Sequence, residues 1–194
     1  MGSREHILAK LTANKPEAIA LPQIDISAFD NYLNIVEEFT KKVEVVGGQI
    51  IEINDDKDVL NYITKTFPDT KTNFSTLKHD TLFNTIDMEK LNKPHELEDL
   101  DVLILESNLG IAENGAIWLT DSQLPNRVLP FITKHLVIVM SKKDIVSNMH
   151  NAYSKVKDFG FGVFISGPSK TADIEQSLVI GAHGALSMSV FLKS

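Results

Sequence analysis

Four short, largely apolar runs constrain the fold of this chain more than any other feature of its sequence. They lie at Leu100–Leu105, Ala116–Leu119, Leu136–Met140 and Phe161–Ile165. A strand with one solvated face alternates polar and apolar residues, whereas a strand buried on both faces is apolar at consecutive positions. The runs therefore predict central strands of an α/β sheet covered by helices. The segment Lys142–Lys157 predicts a crossover helix between the last two strands.

The first part of the chain carries helical patterns. Residues Ser3–Asn14 predict a short first helix, and Ser27 is predicted to cap a second helix that ends near Lys42. The run Val43–Val46 is predicted to lead into the sheet. A length of 194 residues suits one domain. We expect residues 1–42 to be an N-terminal helical segment packed on an α/β domain of residues 43–194. In that domain a helix is predicted from Asp55 and Asp56 through Phe67, and Asp69–Glu98 gives only a weak signal.

Charge and cysteine usage exclude several classes of function. The chain has 19 Lys and Arg against 26 Asp and Glu, a net charge of −7, which disfavours general nucleic-acid binding. No apolar run approaches the roughly 18–20 residues of a membrane span, and the start lacks the order of a secretory signal, so we expect a cytoplasmic protein. Because the chain has no cysteine, it cannot supply thiolate ligands or a cysteine nucleophile. No spacing of His and carboxylates predicts a metal site.

The clearest candidate binding site is the segment SGPSKTADIE, residues Ser166–Glu175. It predicts a strand end, a Gly-Pro-Ser-Lys turn, and a helix capped by Thr171 with Asp173 in its first turn. Free backbone N–H groups at that helix start, with the ammonium of Lys170, would bind a phosphate or a carboxylate. The same pattern is typical of an ordinary, well-capped helix, and the residues alone leave both interpretations open.

A second candidate is Glu113, which directly precedes the turn-forming pair Asn114-Gly115. A carboxylate at a strand edge could act as a nucleophile or a base. A solvated glutamate beside a hairpin turn would give the same pattern.

Three further polar residues flank predicted strands. Arg127 could bind a carboxylate or only pair with Asp121. His135 suits a hydrogen-bonded residue at the start of a strand, and His183 suits a cap at the end of a helix.

Together these motifs resemble the LUD-domain family of lactate utilization proteins. Its signature SGPS-basic-TADIE matches Ser166–Glu175, and its G-x-H-G-P motif is similar to Gly181–Ala185, where Ala185 replaces the proline. Its I-A-E-T-G-T motif is similar to Ile111–Ala116, and an Arg and a His of the family fall at Arg127 and His135.

The resemblance implies the ribose phosphate isomerase/CoA transferase-like fold, a Rossmann-like three-layer α/β/α sandwich with a mostly parallel central sheet and N-terminal helices. It also implies an accessory or small-anion-binding subunit of a system that oxidises L-lactate to pyruvate. The partners would be iron–sulfur oxidoreductase subunits and a small anionic metabolite. The iron–sulfur centres would lie in those subunits, and this chain would hold no cofactor. The implied ligand-binding residues are Asn114, Gly115, Arg127, Gly167, Pro168, Ser169, Lys170, Thr171, Asp173, His183 and Gly184.

The triplet Glu113-Asn114-Gly115 is also similar to the S-E-N-G motif of CoA transferases. That similarity implies an alternative, a CoA transferase or sugar phosphate isomerase-like enzyme in which Glu113 is catalytic.

Overall fold

The computed structural model describes residues 2–20, 22–29, 34–77, 83–157, 160–172, 178–181 and 183–194. The helices are α1 (Ser3–Ala13), α2 (Ile35–Val45), α3 (Lys57–Thr66), α4 (Leu129–Ile132) and α5 (Met149–Lys155). The strands are β1 (Gln49–Ile53), β2 (Asn73–Ser75), β3 (Val102–Glu106), β4 (Gly110–Ile111), β5 (Ala116–Thr120), β6 (His135–Ser141), β7 (Ile145–Val146), β8 (Gly162–Ile165), β9 (Lys170–Ala172), β10 (Leu178–Ile180) and β11 (Ser187–Lys193). Short 3₁₀ turns lie at Ile26–Phe29, Met88–Lys90, Pro94–Leu97 and Lys142–Asp144.

The central sheet of the described residues has five strands in the order β1-β11-β6-β3-β2, and all of them are parallel. On one face, Val59 and Ile63 of α3 pack against Val137 and Phe191. On the other face lie α2, which contributes Phe39, and a second sheet. The mostly parallel central sheet with its helices confirms the predicted α/β, Rossmann-like class.

The second sheet has the order β7-β4-β5-β8 and corrects two of the predicted central strands. Ala116–Leu119 and Phe161–Ile165 contribute to β5 and β8, which pair with each other antiparallel outside the central sheet. One face of this sheet joins the main core, and Trp118 on its other face clusters with Ala152 of α5. A continuous apolar run indicates that a strand is buried on both faces, but it does not indicate to which sheet the strand belongs. The predicted crossover helix is only the short α5.

The N-terminal helices differ from prediction at their ends. Helix α2 begins after Asn34, whose Oδ1 accepts a hydrogen bond from the Glu37 N–H at 3.2 Å. Ser27 caps no helix there, because it lies in a 3₁₀ turn and its hydroxyl donates to Asp25. The run Val43–Val46, which is predicted to lead into the sheet, belongs mainly to α2. The helix therefore continues past Lys42, where the sequence predicts its end. Helix α1 forms as predicted, with every residue exposed.

The prediction of a helix that begins at Thr171 is wrong. Lys170–Ala172 forms β9, which pairs antiparallel with β10. A cap-like residue such as threonine also suits a strand, and the β-branched Val179 and Ile180 favour β structure. Asp173 lies outside the described residues.

Candidate functional site

A cavity of about 290 Å³ opens beside the turn Ser166–Lys170. It lies near the amino end of β6, where Leu136 contributes to its wall. Phe131 and Phe164 add apolar surface. Among the predicted ligand-binding residues, the cavity brings together Gly167, Pro168, Ser169, Lys170, His183 and Gly184.

Backbone hydrogen bonds hold this turn against the segment that precedes β11. The Ser169 N–H donates to the Ala185 carbonyl at 2.9 Å, and the Gly181 N–H donates to the Ser169 carbonyl at 3.0 Å. Because the Ser169 amide is occupied and the following residues pair with β10, the predicted row of free amides at a helix start is not formed. In place of those amides, the wall of the cavity offers the polar side chains of Ser169, Lys170 and His183.

Glycines allow the turn to approach the end of α2. At Gly167 φ is +73°, and an added Cβ would lie 2.5 Å from the Val46 carbonyl oxygen. At Gly115 φ is +67°, and an added Cβ would lie 2.8 Å from the Val43 nitrogen. A left-handed conformation and a backbone contact this close both require glycine. Two motifs that are far apart in the sequence therefore contact the same end of one helix.

The ammonium of Lys170 lies beside the same helix end. A Cβ added at Gly47, two residues after α2, would lie 3.1 Å from Lys170 Nζ. The negative end of the helix dipole favours a cation in this position. Lys170 is exposed and also lines the cavity, so its positive charge acts on both the end of α2 and the cavity.

The Glu113 motif touches the turn through its backbone. The Ser166 hydroxyl donates to the Asn114 carbonyl at 2.8 Å. The Glu113 carboxylate points elsewhere: its Oε2 accepts the N–H of Met149, the first residue of α5, at 2.8 Å. Glu113, Asn114 and Gly115 are not part of the cavity wall. The observed role of Glu113 is to cap α5.

Arg127 and His135 both make local contacts. Arg127 is 61% exposed and lies 3.6 Å from the Asp121 carboxylate, with its guanidinium 5.0 Å from the centre of the Phe161 ring. Arg127 does not line the cavity beside the turn, which fits the pairing interpretation. His135 Nδ1 lies 2.8 Å from Ser187 Oγ, and its ring stacks on Phe67. Burial lowers the pKa of His135.

Sequence reasoning missed a larger cavity of about 430 Å³ on the outer side of the second sheet. The only sequence signal was the polar segment Thr120–Gln123 that follows the apolar run of β5.

Among the described residues, no three His, Asp or Glu side chains are grouped as a metal site requires. Each helix in the described part of the chain is too short or too polar to cross a lipid bilayer.

The family model of the LUD domain matches residues 77–192, which is more than half of the chain. The chain belongs to the LUD domain family. The match includes the turn Ser166–Lys170, His183 and Glu113, so both motifs lie within the LUD domain.

Curated relatives of this LUD domain carry the name lactate utilization protein C. The protein from Shouchella clausii (strain KSM-K16) is 35% identical over 98 residues, which cover 47% of this chain and 43% of that protein. The protein from Oceanobacillus iheyensis is 28% identical over 99 residues, covering 47% of this chain and 42% of that protein. Each match spans less than half the length of the relative.

A solved structure has the same fold as this LUD domain. The crystal structure of a DUF162 family protein from Deinococcus radiodurans superposes with a TM-score of 0.61 at 16% sequence identity. The superposition covers 82% of this chain and 96% of that protein. The similarity therefore extends beyond the region that the family model matches.

Proposed function

We propose that this LUD domain serves lactate utilization as an accessory, anion-binding subunit of a system that oxidises L-lactate to pyruvate. The observation that carries the proposal is the cavity that gathers Ser169, Lys170 and His183 beside the family's signature turn. The names of the curated relatives supply the metabolic context.

The wall of the cavity suits a small hydroxy or keto acid. The Lys170 ammonium can pair with the carboxylate, and the Ser169 hydroxyl and the His183 imidazole can hydrogen-bond to the neighbouring oxygen. Phe131 and Leu136 offer apolar surface to a methyl group. A volume of about 290 Å³ lies at the lower end of the usual range of ligand cavities, roughly 300–1,000 Å³, so it suits a small acid.

The oxidation itself would depend on partners. Conversion of lactate to pyruvate releases electrons and protons, and an acceptor must take them. The sequence contains no cysteine to ligate an iron–sulfur cluster. We therefore propose that the electrons pass to iron–sulfur oxidoreductase subunits and that this chain holds the acid.

Isothermal titration with L-lactate and with pyruvate tests the binding site. We expect Lys170→Gln to weaken binding by roughly tenfold or more, because a charged hydrogen bond to the carboxylate is lost. The matched control is Lys65→Gln, which removes the same charge from an exposed lysine in the last turn of α3. Equal affinities in both variants, or no heat with the unmodified protein, would contradict the proposed site.

The metabolic role is tested in the host. We expect deletion of the gene to prevent growth on L-lactate while growth on pyruvate continues. The tagged chain should also co-purify with proteins that contain iron and acid-labile sulfide. Normal growth of the deletion strain on L-lactate would contradict the role, whatever the binding experiment shows.

A further inference from the structure

The larger cavity, here called the Trp118 cavity, lies between the end of β5 and the end of α5. Its wall includes Asn108, Trp118, Thr120, Ser122, Lys155 and Lys157. Its volume of about 430 Å³ falls within the usual range for small-molecule sites. A molecule as small as lactate would fill only part of it.

Two lysines place positive charge at the wall of the Trp118 cavity. Lys155 and Lys157 are exposed, and neither makes an ion pair within the part of the chain that the structure describes. Among the described residues of the wall, Asp121 is the one carboxylate, and it lies 3.6 Å from the Arg127 guanidinium. Within this described wall, an anion therefore meets two lysines and a carboxylate that already has a partner.

Another part of the wall presents hydroxyl groups in fixed positions. Thr120 Oγ1 lies 2.6 Å from Ser122 Oγ, and the Gln123 Oε1 accepts the Thr120 N–H at 2.8 Å. The Gln123 amide in turn donates to the Glu106 carbonyl at 2.9 Å. These bonds fix the turn after β5, so its hydroxyl groups need little further ordering to bind a ligand.

We propose that the Trp118 cavity binds a phosphate ester that carries free hydroxyl groups. Two lysines match the double negative charge of a phosphate ester near neutral pH. The hydroxyls of Thr120 and Ser122 and the Asn108 amide match the hydroxyl groups of the ester. Trp118 and Leu109 offer apolar surface to its carbon skeleton. The proposal does not depend on lactate binding beside the signature turn.

Binding at this site can be followed by intrinsic tryptophan fluorescence, because Trp118 is the only tryptophan in the sequence. We expect glycerol 3-phosphate, titrated at constant ionic strength, to change the Trp118 fluorescence until it saturates. Orthophosphate should bind more weakly, and glycerol should give no signal. A flat titration with glycerol 3-phosphate overturns the proposal. Equal affinity for orthophosphate overturns the recognition of hydroxyl groups.

Two double variants separate specific binding from general charge. Lys155→Gln with Lys157→Gln should raise the Kd for glycerol 3-phosphate by roughly tenfold or more. Lys65→Gln with Lys143→Gln removes the same charge from two exposed lysines outside the cavity and should leave the Kd unchanged. If the two double variants raise the Kd for glycerol 3-phosphate by the same factor, the assignment of the site to this cavity is overturned.

The same variants distinguish this proposal from lactate binding. The Lys155 and Lys157 pair should leave the heats of L-lactate binding unchanged, because these lysines do not line the cavity beside the signature turn. A parallel loss of both ligands from this pair would overturn the assignment of the phosphate ester to a separate cavity.

Discussion

The cavity beside the signature turn of this LUD domain and the Trp118 cavity are built in different ways. The cavity beside Ser166–Lys170 depends on backbone contacts: Gly167 approaches the Val46 carbonyl, and the Ser169 amide is bonded to Ala185. The Trp118 cavity is lined by side chains from β5, the turn after it and the end of α5. Only the first cavity coincides with a motif that the sequence displays.

The difference shows what makes a site recognisable in a sequence. A left-handed residue in contact with a neighbouring backbone must be glycine, so the geometry leaves a distinctive pattern of residues. A wall of lysines, hydroxyls and amides tolerates many residue types and leaves no such pattern.

The largest effect is expected for Gly167→Ala. The added methyl would meet the Val46 carbonyl at 2.5 Å in a backbone with φ of +73°, so we expect a loss of about 2–4 kcal/mol in the free energy of unfolding. Urea denaturation followed by Trp118 fluorescence measures it. Gly184→Ala is the control in the same cavity, where the nearest atom to an added Cβ is the Ser169 Cβ at 3.1 Å, and it should cost only about 1 kcal/mol, the lower end of the usual range for an added methyl group. Equal losses would mean that the backbone contact is not what shapes this cavity.

A smaller effect is expected for Asp101→Asn, which removes a charge that contacts Lys134 directly before β6. Asp101 accepts hydrogen bonds from Lys134 Nζ at 2.7 Å and from the Lys71 and Thr72 amides. Burial raises the pKa of Asp101, but these bonds outweigh it and lower the pKa to about 2. A depressed pKa stabilises the fold above the ordinary value near 4, and this contribution is lost as the pH falls toward 2.

We therefore expect the Asp101→Asn variant to lose about 2 kcal/mol at pH 7 and much less near pH 2. Urea denaturation of both proteins at the two pH values measures the difference. The Lys134 carbonyl accepts the Leu186 N–H. Weakening the contact between Asp101 and Lys134 should therefore also loosen the segment that follows Ala185. The same loss at both pH values would show that the charge of Asp101 is not its cause.

The smallest effect is expected at Glu113. Glu113→Ala removes the cap on the Met149 N–H and should cost about 1 kcal/mol, whereas Glu113→Gln keeps an acceptor and should cost less. Neither change should alter the heat of lactate binding.

The same position tests the alternative enzyme. If the chain is a CoA transferase, incubation with acyl-CoA donors should leave a thioester on Glu113, visible by mass spectrometry and absent from Glu113→Gln. Such an adduct would contradict the capping role and move the chemistry away from the first cavity.

The fold was predictable wherever burial alone decided it. The runs that became β3 and β6 are apolar on both faces because helix α3 covers one face and the second sheet covers the other. The sequence could not distinguish β5 and β8 from these strands, because they are equally buried in another sheet. It also could not foresee that Thr171 would lie in a strand, since residues that cap helices also occur at turns and strands.

The sequence by itself determined which segments are buried and which glycines the signature turn needs, because both depend on local residue properties. Only the tertiary structure decided which segments meet. It brought Gly115 and Gly167 to one end of α2, turned the Glu113 carboxylate toward α5, and gathered Lys155, Lys157 and Thr120 around one cavity. These contacts join residues far apart in the chain, and their geometry depends on the packing of whole elements, for which no single residue carries a signal.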